Sequence, residues 1–107
     1  MKQILIPTCK GVKSVSEDNI VRIEASSNYC KIFFSNERPL VVAKVLLWFQ
    51  ENLPEENFCR IHRTHIINRM YVNEIVERTK VRLRTGEVLQ ISRRRKEYAD
   101  QFIRQIA

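Results

Sequence analysis

Ile20-Val21-Arg22-Ile23-Glu24-Ala25, then Ser26-Ser27-Asn28, then Tyr29-Cys30-Lys31-Ile32-Phe33-Phe34 is the run that decides the fold class. Its first six residues set Val21, Ile23 and Ala25 against Arg22 and Glu24, the two-residue period of a half-buried strand. The last six are rich in β-branched and aromatic side chains, which suit a pleated surface. Three small polar residues make the loop between them. Strand, loop and strand predict a sheet.

The same rhythm continues in both directions, with turn residues every eight to twelve positions, the spacing of a small sheet-rich domain. Upstream, residues 2–7 and 12–15 are short apolar pieces around Lys10-Gly11, read as a first hairpin. Downstream, Ser35-Asn36-Glu37 turns into residues 38–42, where Pro39 suits an edge or a strand start. Residues 72–77, 81–85 and 87–91 read as a closing meander, with Gly86 in the tight turn and Arg82 and Arg84 pointing away from Val81 and Leu83. Two segments change period. Over residues 43–53, Val42, Leu46, Phe49 and Leu53 form the stripe of an amphipathic helix that Pro54 stops. At the carboxyl end, Ser92 is placed to cap a helix whose seam is Tyr98, Phe102 and Ile106. Residues 59–69 have no clean period and are read as a strand end followed by a short helical turn. The expected fold is therefore mainly β: small antiparallel sheets with one mid-chain helix, a short helical turn and a C-terminal helix, in a single domain over residues 1–107.

Composition sets the class. At 107 residues, 44% apolar and 29% charged, the chain is that of one soluble globular domain. Its longest apolar stretch, residues 45–49, is far short of the roughly 18 needed to span a bilayer. The run at residues 4–6 is too brief for a signal-peptide core. Cys9, Cys30 and Cys59 are odd in number and widely spaced, which disfavours a secreted disulfide framework and points to the cytoplasm.

Charge is more informative. The formal net charge is +7, yet residues 1–57 carry seven basic and seven acidic side chains; the whole excess lies in residues 58–107, where twelve basic residues, ten of them Arg, face five acidic ones. Arg offers the planar fork that phosphate and guanine accept. A nucleic acid is the leading partner, against the plain alternative of a merely soluble basic protein. Position sharpens the argument. Ser92 is followed by Arg93, Arg94, Arg95 and Lys96, at a helix start that already carries about +0.5 charge. A bound polyanion would offset that repulsion, since backbone amides and Arg side chains can grip one phosphate. A second basic point is Arg60-Ile61-His62-Arg63-Thr64, running on to Asn68-Arg69, where small donors accompany cations on an expected loop. Within it, His62 is read as packing and hydrogen-bonding inside the fold, and Asn68 as closing a turn. The third place is the loop leading from Ser26 to Lys31, from which Asn28, Cys30 and Lys31 could reach a groove.

Two other chemistries compete. Cys59, His62 and His65 recur every three residues, but a fourth zinc ligand is missing from the pattern and Arg60 and Arg63 crowd the stretch. A histidine nuclease would need a carboxylate cluster that the sequence does not supply. No enzyme activity, cofactor or metal is expected. A small RNA-binding protein is the second reading, because charge alone does not separate DNA from RNA.

The series Ile23-Glu24-Ala25, Asn28-Tyr29, Phe58-Cys59-Arg60-Ile61-His62-Arg63-Thr64, Ile66-Ile67-Asn68, Thr85-Gly86 and Ile91-Ser92-Arg93-Arg94 closely resembles the LytTR family of bacterial DNA-binding domains, in order and over nearly the whole chain. The resemblance implies a mostly β fold whose loops, rather than a recognition helix, enter DNA grooves. It implies a transcription regulator, usually at the carboxyl end of a two-component response regulator behind a phosphorylatable receiver, bound to paired direct-repeat promoter sites. Carried over by position, Cys30, Arg63 and Arg93 meet DNA, with Arg93 the best candidate for guanine. Cys30 stands where relatives have His, so its contact passes to Asn28 or Lys31. Ser27 stands where relatives often have Gly. The full candidate surface is Asn28, Cys30, Lys31, Arg60, Arg63, Thr64, Ser92, Arg93 and Arg94. Apart from it, Val45, Leu47 and Trp48 point partly away from the helix stripe and offer a contact for a second copy or for a receiver domain.

Overall fold

Ten strands and two helices carry the chain in the computed structural model, which describes residues 2–104. A hairpin of β1 (Gln3–Thr8) and β2 (Gly11–Ser16) comes first, turning where Lys10-Gly11 predicts it. Then β3 (Ile20–Ser26), β4 (Tyr29–Phe34) and β5 (Leu40–Val42) lead into α1 (Leu46–Asn52). Next come β6 (Phe58–His62) and β7 (His65–Asn68), followed by a meander of β8 (Val72–Val76), β9 (Lys80–Leu83) and β10 (Val88–Gln90). A 3-10 turn, Arg93–Arg95, runs into α2 (Lys96–Arg104). Every strand pairing is antiparallel. The sheets are β1-β2, β10-β9-β8, and a central five-stranded sheet in the order β5-β4-β3-β7-β6. No helix of the described residues is long and apolar enough to cross a membrane.

The central sheet is buried on both faces, and this is the main physical fact of the fold. One face packs with the first hairpin and α1 around Ile6, Ile23, Cys30, Ile32, Phe49 and Ile66. The other packs with the meander and α2 around Val21, Cys59, Ile61, Ile67, Val81 and Phe102. A strand covered twice loses its alternation, because both sets of side chains must be apolar. That explains residues 59–69, where the expected strand end and helical turn are instead the hairpin of β6 and β7. A single 3-10 turn, Arg69–Tyr71, follows only after it. Asn68 caps that turn, its Oδ1 accepting from the Met70 amide at 3.0 Å, while its Nδ2 donates to the Ile20 carbonyl at 2.8 Å. The turn-closing role expected of it therefore holds.

Other expectations change in detail. Val21 and Ile23 do not share a face: a register shift between Ile20 and Arg22 sends Val21 into the second core and Ile23 into the first. Arg22 is 6% exposed rather than facing water. The stripe Val42, Leu46, Phe49 and Leu53 is buried as expected, although Val42 still belongs to β5. Ser92 makes no side-chain cap bond, and its Arg-rich neighbours form a 3-10 turn before the α-helix begins. On α2 the buried residues are Ala99 and Phe102; Tyr98 is exposed, and Ile106 lies outside the described residues. Val45 and Leu47 are exposed, but Trp48 is half-buried, edge-on to Phe49 at 4.9 Å with the Lys44 ammonium above it.

Candidate nucleic-acid interface

Three turns meet at one end of the central sheet. The β3-β4 turn comes first: Glu24 of β3 pairs with Lys31 on one side and with His65 of β7 on the other, so the end of β3 lies beside the start of β7. The Ala25 amide donates to the Thr64 carbonyl at 2.8 Å, which fastens this turn to the β6-β7 turn. The Ser92 amide donates to the Ile61 carbonyl at 2.9 Å, which fastens the Arg93–Arg95 turn to the end of β6. Backbone bonds thus join position 25 to 64 and position 92 to 61, three residues before Thr64.

Each turn has its own local cause. Ser27 sits at φ 56, the left-handed region that Gly occupies freely and that costs another L-residue about 1 kcal/mol. Relatives with Gly at this point would meet no such cost. Arg63 and Thr64 span the two-residue β6-β7 connection, since His62 pairs with His65. Neither residue has positive φ, so the turn is not of the primed kind that usually fits a hairpin's twist. Side chains hold it instead. The Thr64 amide donates to His62 Nδ1 at 3.2 Å, and the Thr64 hydroxyl lies 2.9 Å from the same nitrogen. Arg60 Nη2 donates to the Arg63 carbonyl at 2.7 Å, while its Nη1 donates to Gln50 Oε1 at 3.1 Å. The third turn is closed by the Arg95 amide on the Ser92 carbonyl at 3.1 Å.

Asn28, Lys31, Arg63, Arg93 and Arg94 are exposed at this end, with Thr64 and Ser92 half-buried among them. Two candidates sit differently. Cys30 is completely buried in the first core, and burial pushes its thiol up to about 11, so it is a neutral apolar side chain rather than a surface group. Strand alternation explains it: Lys31, the next residue, takes the outward face. Arg60 is on β6 rather than a loop, and its guanidinium braces the Arg63 turn. Arg93, Arg94 and Arg95 also lie on a 3-10 turn ahead of α2, whose first turn carries Glu97 beside Lys96, so the helix-dipole conflict read from the sequence is milder than expected.

Sequence reasoning missed the charge network beneath the first turn. Arg22 donates from Nε and Nη2 to Glu87 Oε2 at 3.1 and 2.7 Å, and from Nη1 to Glu24 Oε1 at 2.9 Å. Its guanidinium lies 3.8 Å from the centre of the Phe33 ring. A buried cation needs such partners to offset its lost hydration. The hydrogen bond from Arg22 holds the Glu87 carboxyl below its ordinary value. His65, 3.9 Å from Glu24, is also held below its usual value, chiefly by burial. Arg22 carried no signal in the sequence, since with Glu24 it alternates against Val21, Ile23 and Ala25 as the outer face of a half-buried strand would. Its partner Glu87, 65 residues away, gave none either. Cys59, His62 and His65 do not converge, because Cys59 is 1% exposed within the second core. Among the described residues no three His, Cys, Asp or Glu side chains gather as a metal site.

A family model described as the LytTr DNA-binding domain matches residues 10–104. Among solved structures, the chain is similar to the LytTr DNA-binding domain of a Bacillus cereus protein described as a methyl-accepting/DNA response regulator. The TM-score is 0.73 at 21% identity, and the match covers 100% of this chain and 98% of that one. No curated protein matches the sequence.

Proposed function

The chain belongs to the LytTR family of DNA-binding domains, and on that premise we propose that it is the output domain of a transcription regulator that reads duplex DNA with the three turns at the end of its central sheet. The observation that carries the reading is the pair of backbone hydrogen bonds, Ala25 to Thr64 and Ser92 to Ile61, that draws Asn28, Arg63 and Arg93 together. From β4 across β3, β7 and β6 to Ser92 is four strand spacings, about 19 Å. That width fits inside one duplex turn of about 34 Å. No helix of the described residues is offered to a groove. Arg93 and Arg94 leave an exposed 3-10 turn, from which one guanidinium can reach guanine while its neighbour meets the backbone. Asn28 and Lys31 take the role that position 30 has in relatives with His there. Arg63 and Thr64 address phosphate and sugar between them. The half-sites form a direct repeat, and a receiver domain or a second copy meets the Val45 and Leu47 side of α1.

Selection of bound duplexes from a random pool, followed by competition with structured RNA, tests the proposal. The expected outcome is a short motif repeated in the same orientation, retained against RNA. Displacement by RNA at equal concentration, or a pool without a motif, removes it.

A further inference from the structure

A cleft of about 490 Å³ lies between α1, the first half of β6 and the Arg93–Arg95 turn. Its exposed apolar part is formed by Leu47 and Tyr98, above the buried Leu53, Phe58 and Ile66, and Arg60, Arg94 and Arg95 line it with charge. Glu51 and Glu55 also line it, yet among the described residues no carboxylate comes within ion-pair distance of these three cations. The Nε atoms of Arg60 and Arg95 are shut off from water and have no hydrogen-bond partner. Buried donors of this kind are ordinarily satisfied, so both guanidiniums lack part of their usual set of acceptors. Burial, and after it the charge of Arg95, holds the Arg60 guanidinium below its ordinary value.

We propose that this cleft binds a small organic anion, a carboxylate or phosphate on a compact apolar body, with the charge at Arg60, Arg94 and Arg95 and the body against Leu47 and Tyr98. Its volume and its mixture of an apolar lining with a few converging polar groups are those of small-molecule sites. A phosphodiester of duplex DNA would bring the charge without a body for that apolar lining. The two sources therefore differ in what they need from the cleft. Gln50 is the residue to alter: it is exposed on α1, it is not part of the DNA-contacting set, and its amide oxygen already accepts from Arg60. Gln50→Glu places a carboxylate of the same shape where the anion would sit.

The test is amide-resolved NMR of the chain titrated with 2-naphthoate, with inorganic phosphate, and with a short duplex. The expected result is saturable shifts at Leu47, Gln50 and Arg60 with 2-naphthoate, about tenfold weaker binding of inorganic phosphate, and about tenfold weaker 2-naphthoate binding by Gln50→Glu with duplex affinity kept within about twofold. Inorganic phosphate binding as well as 2-naphthoate would overturn the proposal in favour of a seat for a DNA phosphate. Shifts confined to the Arg63 and Arg93 turns, or an undiminished response in Gln50→Glu, would overturn it as general attraction to a basic surface.

Discussion

Arg93 and Arg63 are both exposed cations on adjoining turns, yet they are expected to do different work. Arg93→Ala should cost about 1–3 kcal/mol on the preferred duplex and relax one base preference, because a guanidinium on a base edge carries sequence information. Arg63→Ala should weaken all duplexes alike and lower the salt dependence by about one phosphate. Gel-shift titrations at several salt concentrations, on cognate and scrambled duplexes, separate the two. Below them, Arg22 links stability to pH. Glu87 and His65 both hold protons less tightly folded than unfolded, so unfolding takes protons up. Their contribution is complete above the unfolded histidine value of about 6.5 and falls away as pH drops through it and then through the carboxylate range. Urea melts between neutral pH and about pH 4 should show that loss, with the lower step reduced in Arg22→Met. An unchanged lower step would mean that Glu87 owes nothing to Arg22.

At the scale of elements, the β6-β7 hairpin is the piece on which the interface depends, and Asn68 is what ties its far end down. The side chain donates to the Glu17 and Ile20 carbonyls at 3.3 and 2.8 Å and accepts from the Met70 amide at 3.0 Å. Asn68→Ala should destabilise the chain by about 2–3 kcal/mol in urea, since Asn68 is 4% exposed and its loss takes the partner from the buried Ile20 carbonyl as well as from the Glu17 carbonyl and the Met70 amide. The duplex contacts proposed for it lie at the other end of the hairpin, so the base preference of the folded fraction should not change. A shifted preference would mean that the hairpin does not act as a rigid lever.

For the whole molecule, Lys31, Arg63 and Arg94 are the exposed cations left for phosphate once Arg93 is on a base edge, and each should release about one counterion. The logarithm of duplex affinity is then expected to fall with the logarithm of salt at a slope of about −2.7. A slope of about −6, close to the full net charge of +7, would instead mean that the surface binds diffusely. Much of the candidate surface was visible from residue order alone. The cations of residues 58–107, the turn residues and the one helix stripe are local features, and local features are written where they act. The β6-β7 hairpin was not visible, because both of its faces are covered and its periodicity is erased. Cys30 was misplaced for the converse reason: its neighbours are polar, while what surrounds it comes from α1 and the first hairpin.

By itself, then, the sequence determined the class of fold, the sign and place of the charge and the family, all of which follow from propensity and residue order. Only the tertiary structure decided which candidates reach solvent, that Arg60 braces a turn and lines a cleft, and that Arg22 is neutralised by Glu87. Burial and pairing are set by segments distant in the chain, and no local pattern encodes which distant segment will arrive.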